Sequence, residues 1–154
     1  MTAQALGDFA TAEAGYRKAL ALAPKSPATQ NNLAYVLWLR GREQDMGEAQ
    51  RLAEAAVAAA PENASFYDTL ARVQAANGLQ EAAVRTFHTA LQKDPGSIEA
   101  MIGLADLLSK DQSRRDEVKD LLLQVNRLLP NAPPLSKPLR KQLDDLKSTV
   151  ALTS

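Results

Sequence analysis

A small residue, a second one seven positions on and a proline five beyond that recur four times along this chain, and no other feature limits its fold so tightly. Ala12, Ala19 and Pro24 set the spacing, and Ala49, Ala56, Pro61 and then Ala83, Ala90, Pro95 repeat it. Val118, Val125 and Pro130 show it a fourth time with valine in the alanine places, and the prolines lie 37, 34 and 35 residues apart. A repeat of this length is one supersecondary unit that cannot bury its own apolar face, so the units must stack. Ala and Leu supply 28 and 23 of the 154 residues. Both are strong helix formers, and the aromatic residues that strands favour are few, so the units are predicted to be helical.

The punctuation of the repeat agrees with its period. Each closing proline lacks an amide and disfavours helical geometry in its predecessor, which ends a helix there. Ser26, Asn63 and Ser97 follow the prolines and are placed to cap the next helix. Gly7, Gly41 and Gly78 fall where a helix must stop, because glycine takes the left-handed backbone cheaply. The spacing predicts hairpins of helices at about 28–40 with 46–60, 64–77 with 80–94, and 98–110 with 115–129. A lone helix at about 9–23 is expected to precede them. Between Gly41 and Ala49 the second unit carries three extra residues within 41–47, expected to lengthen its turn and leave its helices regular.

On these residues the chain resembles the tetratricopeptide repeat family, whose units are helix–turn–helix segments of about 34 residues closed by proline. The third unit matches best, with Tyr67, Leu70, Ala71, Gly78, Ala83, Phe87, Ala90 and Pro95 in the family's places. The second has Gln30 for the aromatic residue, then Leu33, Ala34 and Leu37; the fourth has Met101, Leu104, Ala105 and Leu108 but no turn glycine. The resemblance covers residues 1 to about 130. It implies an all-α, right-handed α-solenoid, with small residues letting paired helices approach closely where they cross. As one domain over 1–154, it divides into a partial repeat (1–26), repeats at 27–63 and 64–97, a divergent repeat at 98–130 and a final helix at 135–150.

That final segment has a different grammar. Leu139, Leu143, Leu146 and Val150 form one helical stripe opposite a polar face, behind the stiff connector Pro130-Asn131-Ala132-Pro133-Pro134. An amphipathic helix covering the last repeat is the expected cap of a solenoid. At the other end, Gly7-Asp8-Phe9 matches the turn inside a repeat. The chain is therefore expected to be a piece of a longer protein, with Met1–Leu6 the remnant of a first helix, a natural start within a repeat being the alternative. Phe9, Ala12, Tyr16, Ala19 and Leu20 would then be left partly bare, and self-association through this open N-terminal edge is expected.

In the family, ligands lie in a concave groove lined by the first helices, so the resemblance implies which residues meet a partner. In the second unit these are Asn31, Tyr35, Trp38 and Leu39, with Ala28 and Asn32 beside them. In the third they are Asp68 and Arg72, with Ser65, Thr69, Ala75 and Ala76; in the fourth, Ile102 and Asp106, with Glu99, Ser109 and Lys110. Tyr35 and Trp38 read either as a binding hot spot or as core filling. Asp68/Arg72 and Asp106/Lys110 read first as intrahelical ion pairs. The family's clamp for a terminal carboxylate is not matched: Asn32 falls in an asparagine place, but Ser65 and Thr69 stand where Lys and Arg are needed.

Other functions find little support. Basic and acidic residues balance at 18 each with no basic run, which argues against nucleic acid as a partner. There is no cysteine and one histidine, His88, expected on the solvent side, so neither a thiolate nor a histidine metal cluster can form within one chain. No run approaches the ~18 apolar residues of a membrane helix. No phosphate-cradling loop is present, no cofactor is implied, and Glu117 and Asp120 have no obvious catalytic partner. The expected function is therefore non-enzymatic: a scaffold presenting its groove to a peptide or protein. The alanine-rich repeats and Asn31-Asn32-Leu33-Ala34-Tyr35 resemble bacterial members, which implies an envelope assembly such as exopolysaccharide synthesis or secretion. The alternatives are a recruitment arm of a larger enzyme and a structural spacer, and the sequence leaves the compartment open.

Overall fold

Three short polar side chains open three of the helices, as their positions predict. The Ser26 hydroxyl accepts from the Thr29 amide at 3.4 Å, the Asn63 carboxamide from Ser65 at 3.1 Å and the Ser97 hydroxyl from Ala100 at 3.3 Å. Each satisfies one amide that lacks an intrahelical acceptor. Gly41 and Gly78 take φ values of +67° and +77° and close the first helices of their hairpins. The computed structural model describes the backbone of residues 3–152 and the side chains of residues 8–150. Within that span lie eight α-helices and no strand. They are α1 (Ala3–Leu22), α2 (Pro27–Arg40), α3 (Met46–Ala59), α4 (Ala64–Ala76), α5 (Gln80–Lys93), α6 (Ile98–Leu108), α7 (Arg115–Leu128) and α8 (Lys137–Leu152).

Helices α2/α3, α4/α5 and α6/α7 pair as hairpins. Where the partners cross, Ala34, Ala49, Ala56, Ala71, Ala83, Ala90 and Ala105 have no exposed surface at all, and this is what lets the backbones close up. First helices touch in series, α2 on α4 and α4 on α6, and each second helix touches the next first helix. The second helices make no comparable contact with one another, so the stack curves with the first-helix layer inside. The extra residues of the second unit form a 3-10 turn at Glu43–Asp45, and α3 runs on without interruption. A matching turn at Gln112–Arg114 serves the unit without a glycine; Asp111 opens it by accepting from the Ser113 amide at 2.9 Å.

One expectation is corrected. Gly7 ends no helix, because α1 is continuous from Ala3 to Leu22. Running the helix on through Gly7 adds a hydrogen bond per residue, which outweighs the ~1 kcal/mol cost of an internal glycine. Tyr16 and Leu20 of α1 pack onto Leu33, Leu37, Ala49 and Val73. Polar contacts hold the same helix: Arg17 forks onto both oxygens of Glu48 at 2.8 Å and onto Glu13 at 2.8 Å, Glu13 meets Arg40, and Arg40 reaches Asp45 at 3.2 Å. The Arg17 guanidinium holds Glu48 below the ordinary carboxylate range.

The expected C-terminal capping helix is α8, which packs chiefly on α6 and less on α7. It lies over the inner layer of the solenoid as well as capping its end. The cause is readable in α6, Ile-Glu-Ala-Met-Ile-Gly-Leu-Ala-Asp-Leu-Leu, which is apolar nearly all round and must be covered on every side. The stripe of Leu139, Leu143 and Leu146 supplies the cover and is buried with it.

Candidate functional site

The curvature leaves a cavity of about 740 Å³ on the inner layer, within the range of small-ligand sites. Its near wall is α2 with Asn31, Asn32, Tyr35, Trp38 and Leu39; its floor is α4 with Ser65, Asp68, Thr69 and Arg72. Asp94, Ser97 and Glu99, at the start of α6, continue the floor, and Pro134, Ser136, Pro138, Leu139 and Gln142 of the α8 segment make the far wall. Six of the eight residues expected to meet a partner thus line one space: Asn31, Tyr35, Trp38, Leu39, Asp68 and Arg72. Asp106 lines a smaller neighbouring recess with Trp38, Arg72, Lys110 and Gln142. Ile102 does not reach either one. It is fully buried in the cluster that contains Leu139 and Leu143, so the expectation that it faces a partner is corrected: α8 has taken that part of the groove.

At the centre stands Arg72, with 7 % of its surface exposed. Its Nε donates to Asp68 Oδ2 at 2.8 Å and its Nη2 to the Glu99 carbonyl at 2.8 Å, tying α4 to α6. The guanidinium carbon lies 5.3 Å from the centre of the Trp38 ring and 5.9 Å from that of Phe87, within cation–π reach of both. Burial works against this charge, but the Asp68 carboxylate beside it holds the guanidinium above its ordinary value. Gly103 makes room for the arrangement, since a Cβ there would come within 2.6 Å of the Phe87 ring and 3.1 Å of Arg72 Nη2. The ion pair expected between Asp106 and Lys110 does not form, because α6 ends at Leu108 and Lys110 lies beyond the helical register.

Tyr35 leans on Trp38 with ring centres 5.4 Å apart and remains partly open to solvent. Burial raises the Tyr35 phenol above its ordinary 10, Arg72 opposing and Asp68 and Glu99 adding to the shift. It is therefore a neutral hydroxyl, able to donate and accept. Trp38 packs on the cluster of Leu33, Leu37, Ala49 and Val73 and also lines the cavity.

Sequence reasoning missed what is left unsatisfied. Asn31 Oδ1 and Asp68 Oδ1 are buried acceptors with no hydrogen-bond partner, in residues each 8 % exposed. Such orphans are uncommon, and a group placed so costs stability unless something donates to it. Among the described residues no group of three or more His, Asp or Glu is placed to hold a metal ion, and no helix is long and apolar enough to cross a membrane. His88 lies on the outer helix α5 at 3.4 Å from Glu117, half exposed and remote from the cavity lining.

Stacked helical hairpins with an inner first-helix layer define an α-solenoid of the tetratricopeptide-repeat type, and the chain has that fold. Solved structures share this fold. MamA from Desulfovibrio magneticus RS-1 is similar over 84 % of this chain and 71 % of its own, at 22 % identity and a TM-score of 0.68. A Thermobaculum terrenum O-GlcNAc transferase mutant matches 81 % of this chain with 24 % of its own length, at 28 % identity and a TM-score of 0.71. YrrB, described as a TPR protein with an unusual peptide-binding site, matches 97 % of this chain and 84 % of its own at 17 % identity and a TM-score of 0.60. No protein-family model matches the chain, and no curated protein does either.

Proposed function

We propose that this chain is a protein-interaction scaffold whose cavity between α2, α4 and α8 receives a segment of a partner polypeptide. The observation that carries the reading is the pair of orphaned acceptors beside two partly open aromatic rings. Unspent hydrogen-bond capacity fixes a guest's orientation, and the rings supply most of the binding energy. The peptide-binding site described for YrrB is consistent with such use of the fold. A rim substitution tests it without touching the core. Ser65 is exposed and lines the cavity, so Ser65→Trp should fill it while leaving the unfolding midpoint unchanged. Peptides selected on the native protein from a random displayed library should lose at least tenfold in affinity for Ser65→Trp. Equal affinity for both proteins would place the binding elsewhere and defeat the reading.

A second reading, a recruitment arm attached to an enzyme, draws on the match to about a quarter of a transferase. Both readings use the same cavity. The full-length reading frame separates them, a catalytic domain in it favouring the second.

Self-association through α1 is proposed as well. Its principal neighbour is α2. Phe9 and Ala12 are half-buried, and Leu22 is 83 % exposed. Light scattering at tens of micromolar should give a mass above one chain, and Phe9→Glu should return it to one. A native chain that scatters as a monomer at millimolar concentration would contradict this contact.

A further inference from the structure

The cavity's charge and its unspent hydrogen bonds narrow what the guest can be, an inference that rests on the peptide-binding reading above. Three carboxylates, Asp68, Asp94 and Glu99, line the space against one guanidinium, Arg72. Arg72, 7 % exposed, has only its Nη1 hydrogens left to offer a guest. Its Nε is committed to Asp68, its Nη2 to the Glu99 carbonyl, and it lies against two aromatic rings. The carboxylates are less committed. Asp68 keeps Oδ1 free and buried, and Asn31 Oδ1, in another residue of the same lining, is equally unserved. Asp94 accepts only from the Gly96 amide at 3.0 Å, and the exposed Glu99 carboxylate has no ion-pair partner among the described residues. Lys137 and Arg140 flank the α8 residues of the far wall but do not line the cavity. What the site lacks is therefore a cation that brings hydrogen-bond donors.

We propose that the cavity seats a lysine or arginine side chain of the partner segment, its charge held among Asp68, Glu99 and Asp94 and its stem along Tyr35. Either cation brings at least three donors and no acceptor, the complement of what the cavity leaves open. The partly open Tyr35 ring offers it a π face, adding a cation–π attraction to the carboxylate field. A carboxylate guest meets the opposite sign and finds its only possible counter-ion already paired. Specificity against acidic segments then comes from repulsion as much as from attraction to basic ones.

Trp38 is the chain's single tryptophan and lines the cavity, so its emission reports directly on occupancy. The full chain is titrated with four pools of N-acetylated, C-amidated heptapeptides, random except for a central Arg, Lys, Glu or Leu. At low salt the Arg and Lys pools should bind at least tenfold more tightly than the Glu pool, and the ratio should shrink as salt screens the charges. Asp68 supports Arg72, so changing it risks the fold. The exposed pair Asp94→Asn and Glu99→Gln avoids that, and should cut the preference at least threefold with the unfolding midpoint held. Equal binding of all four pools, or tighter binding of the Glu pool, would overturn the cation proposal while leaving peptide binding standing. Silence from all four at millimolar concentration would overturn both.

Discussion

Arg72→Ala should lower the free energy of unfolding by about 3–5 kcal/mol, the largest single-site loss we expect in this chain. Removing one member of a buried ion pair leaves the other charged and uncompensated, and losses of that size follow. Here the survivor is Asp68, already carrying one orphaned oxygen. The Glu99 carbonyl loses its donor too, and the Trp38 and Phe87 rings lose the guanidinium between them. Arg72→Lys should recover little, because an ammonium is a point charge and has no planar fork to serve Asp68 and Glu99 together. The double change Asp68→Leu with Arg72→Met should recover most of the stability, since it removes both charges and fills similar volume. Urea unfolding of the four proteins measures this. A loss below about 1 kcal/mol for Arg72→Ala would mean that the pair is solvated and the cavity floor is not held as described.

Trp38→Ala should weaken binding of a cavity ligand by about 2 kcal/mol or more, the hot-spot range, equal to about thirtyfold. Stability should also fall, by about 2–3 kcal/mol, less than for a fully buried tryptophan because part of the ring already faces the cavity. The two effects separate experimentally: affinity is measured where the variant remains more than about 99 % folded, and stability by urea titration without ligand. Unchanged affinity with a large drop in stability would make Trp38 a core residue only. Unchanged stability with lost affinity would make the cluster of Leu33, Leu37, Ala49 and Val73 independent of it.

What the sequence discloses and what it conceals divides by range. The hairpins, the Ser26, Asn63 and Ser97 caps and the Gly41 and Gly78 closures were legible because each depends on a few neighbouring residues. The inner-layer register was legible too, and it brought Asn31, Tyr35, Trp38, Leu39, Asp68 and Arg72 together. Ile102 failed because that register says which side of α6 faces inward but not what lies over it. A signal was present nonetheless in the all-round apolarity of Ile98–Leu108, which requires a cover that the next unit alone does not supply. Gly7 misled for a related reason: a glycine's place in the pattern does not say whether the helix around it ends or runs on. The Arg17–Glu48 and Glu13–Arg40 contacts, the reach of Arg72 to the Glu99 carbonyl and the two orphaned acceptors had no local signature. They depend on how side chains from different helices meet, which spacing alone does not specify.

Chemical-shift mapping of the isotope-labelled chain with a peptide recovered by selection tests binding in the cavity most directly. The Trp38 indole and the amides of Asn31, Asn32, Ser65 and Thr69 should move together along one binding curve. The outer helices α3, α5 and α7 should stay still. Shifts confined to the outer seam of α7 and α8, where Leu123 is 53 % exposed beside Leu122 and Val150, or confined to α1, would contradict it.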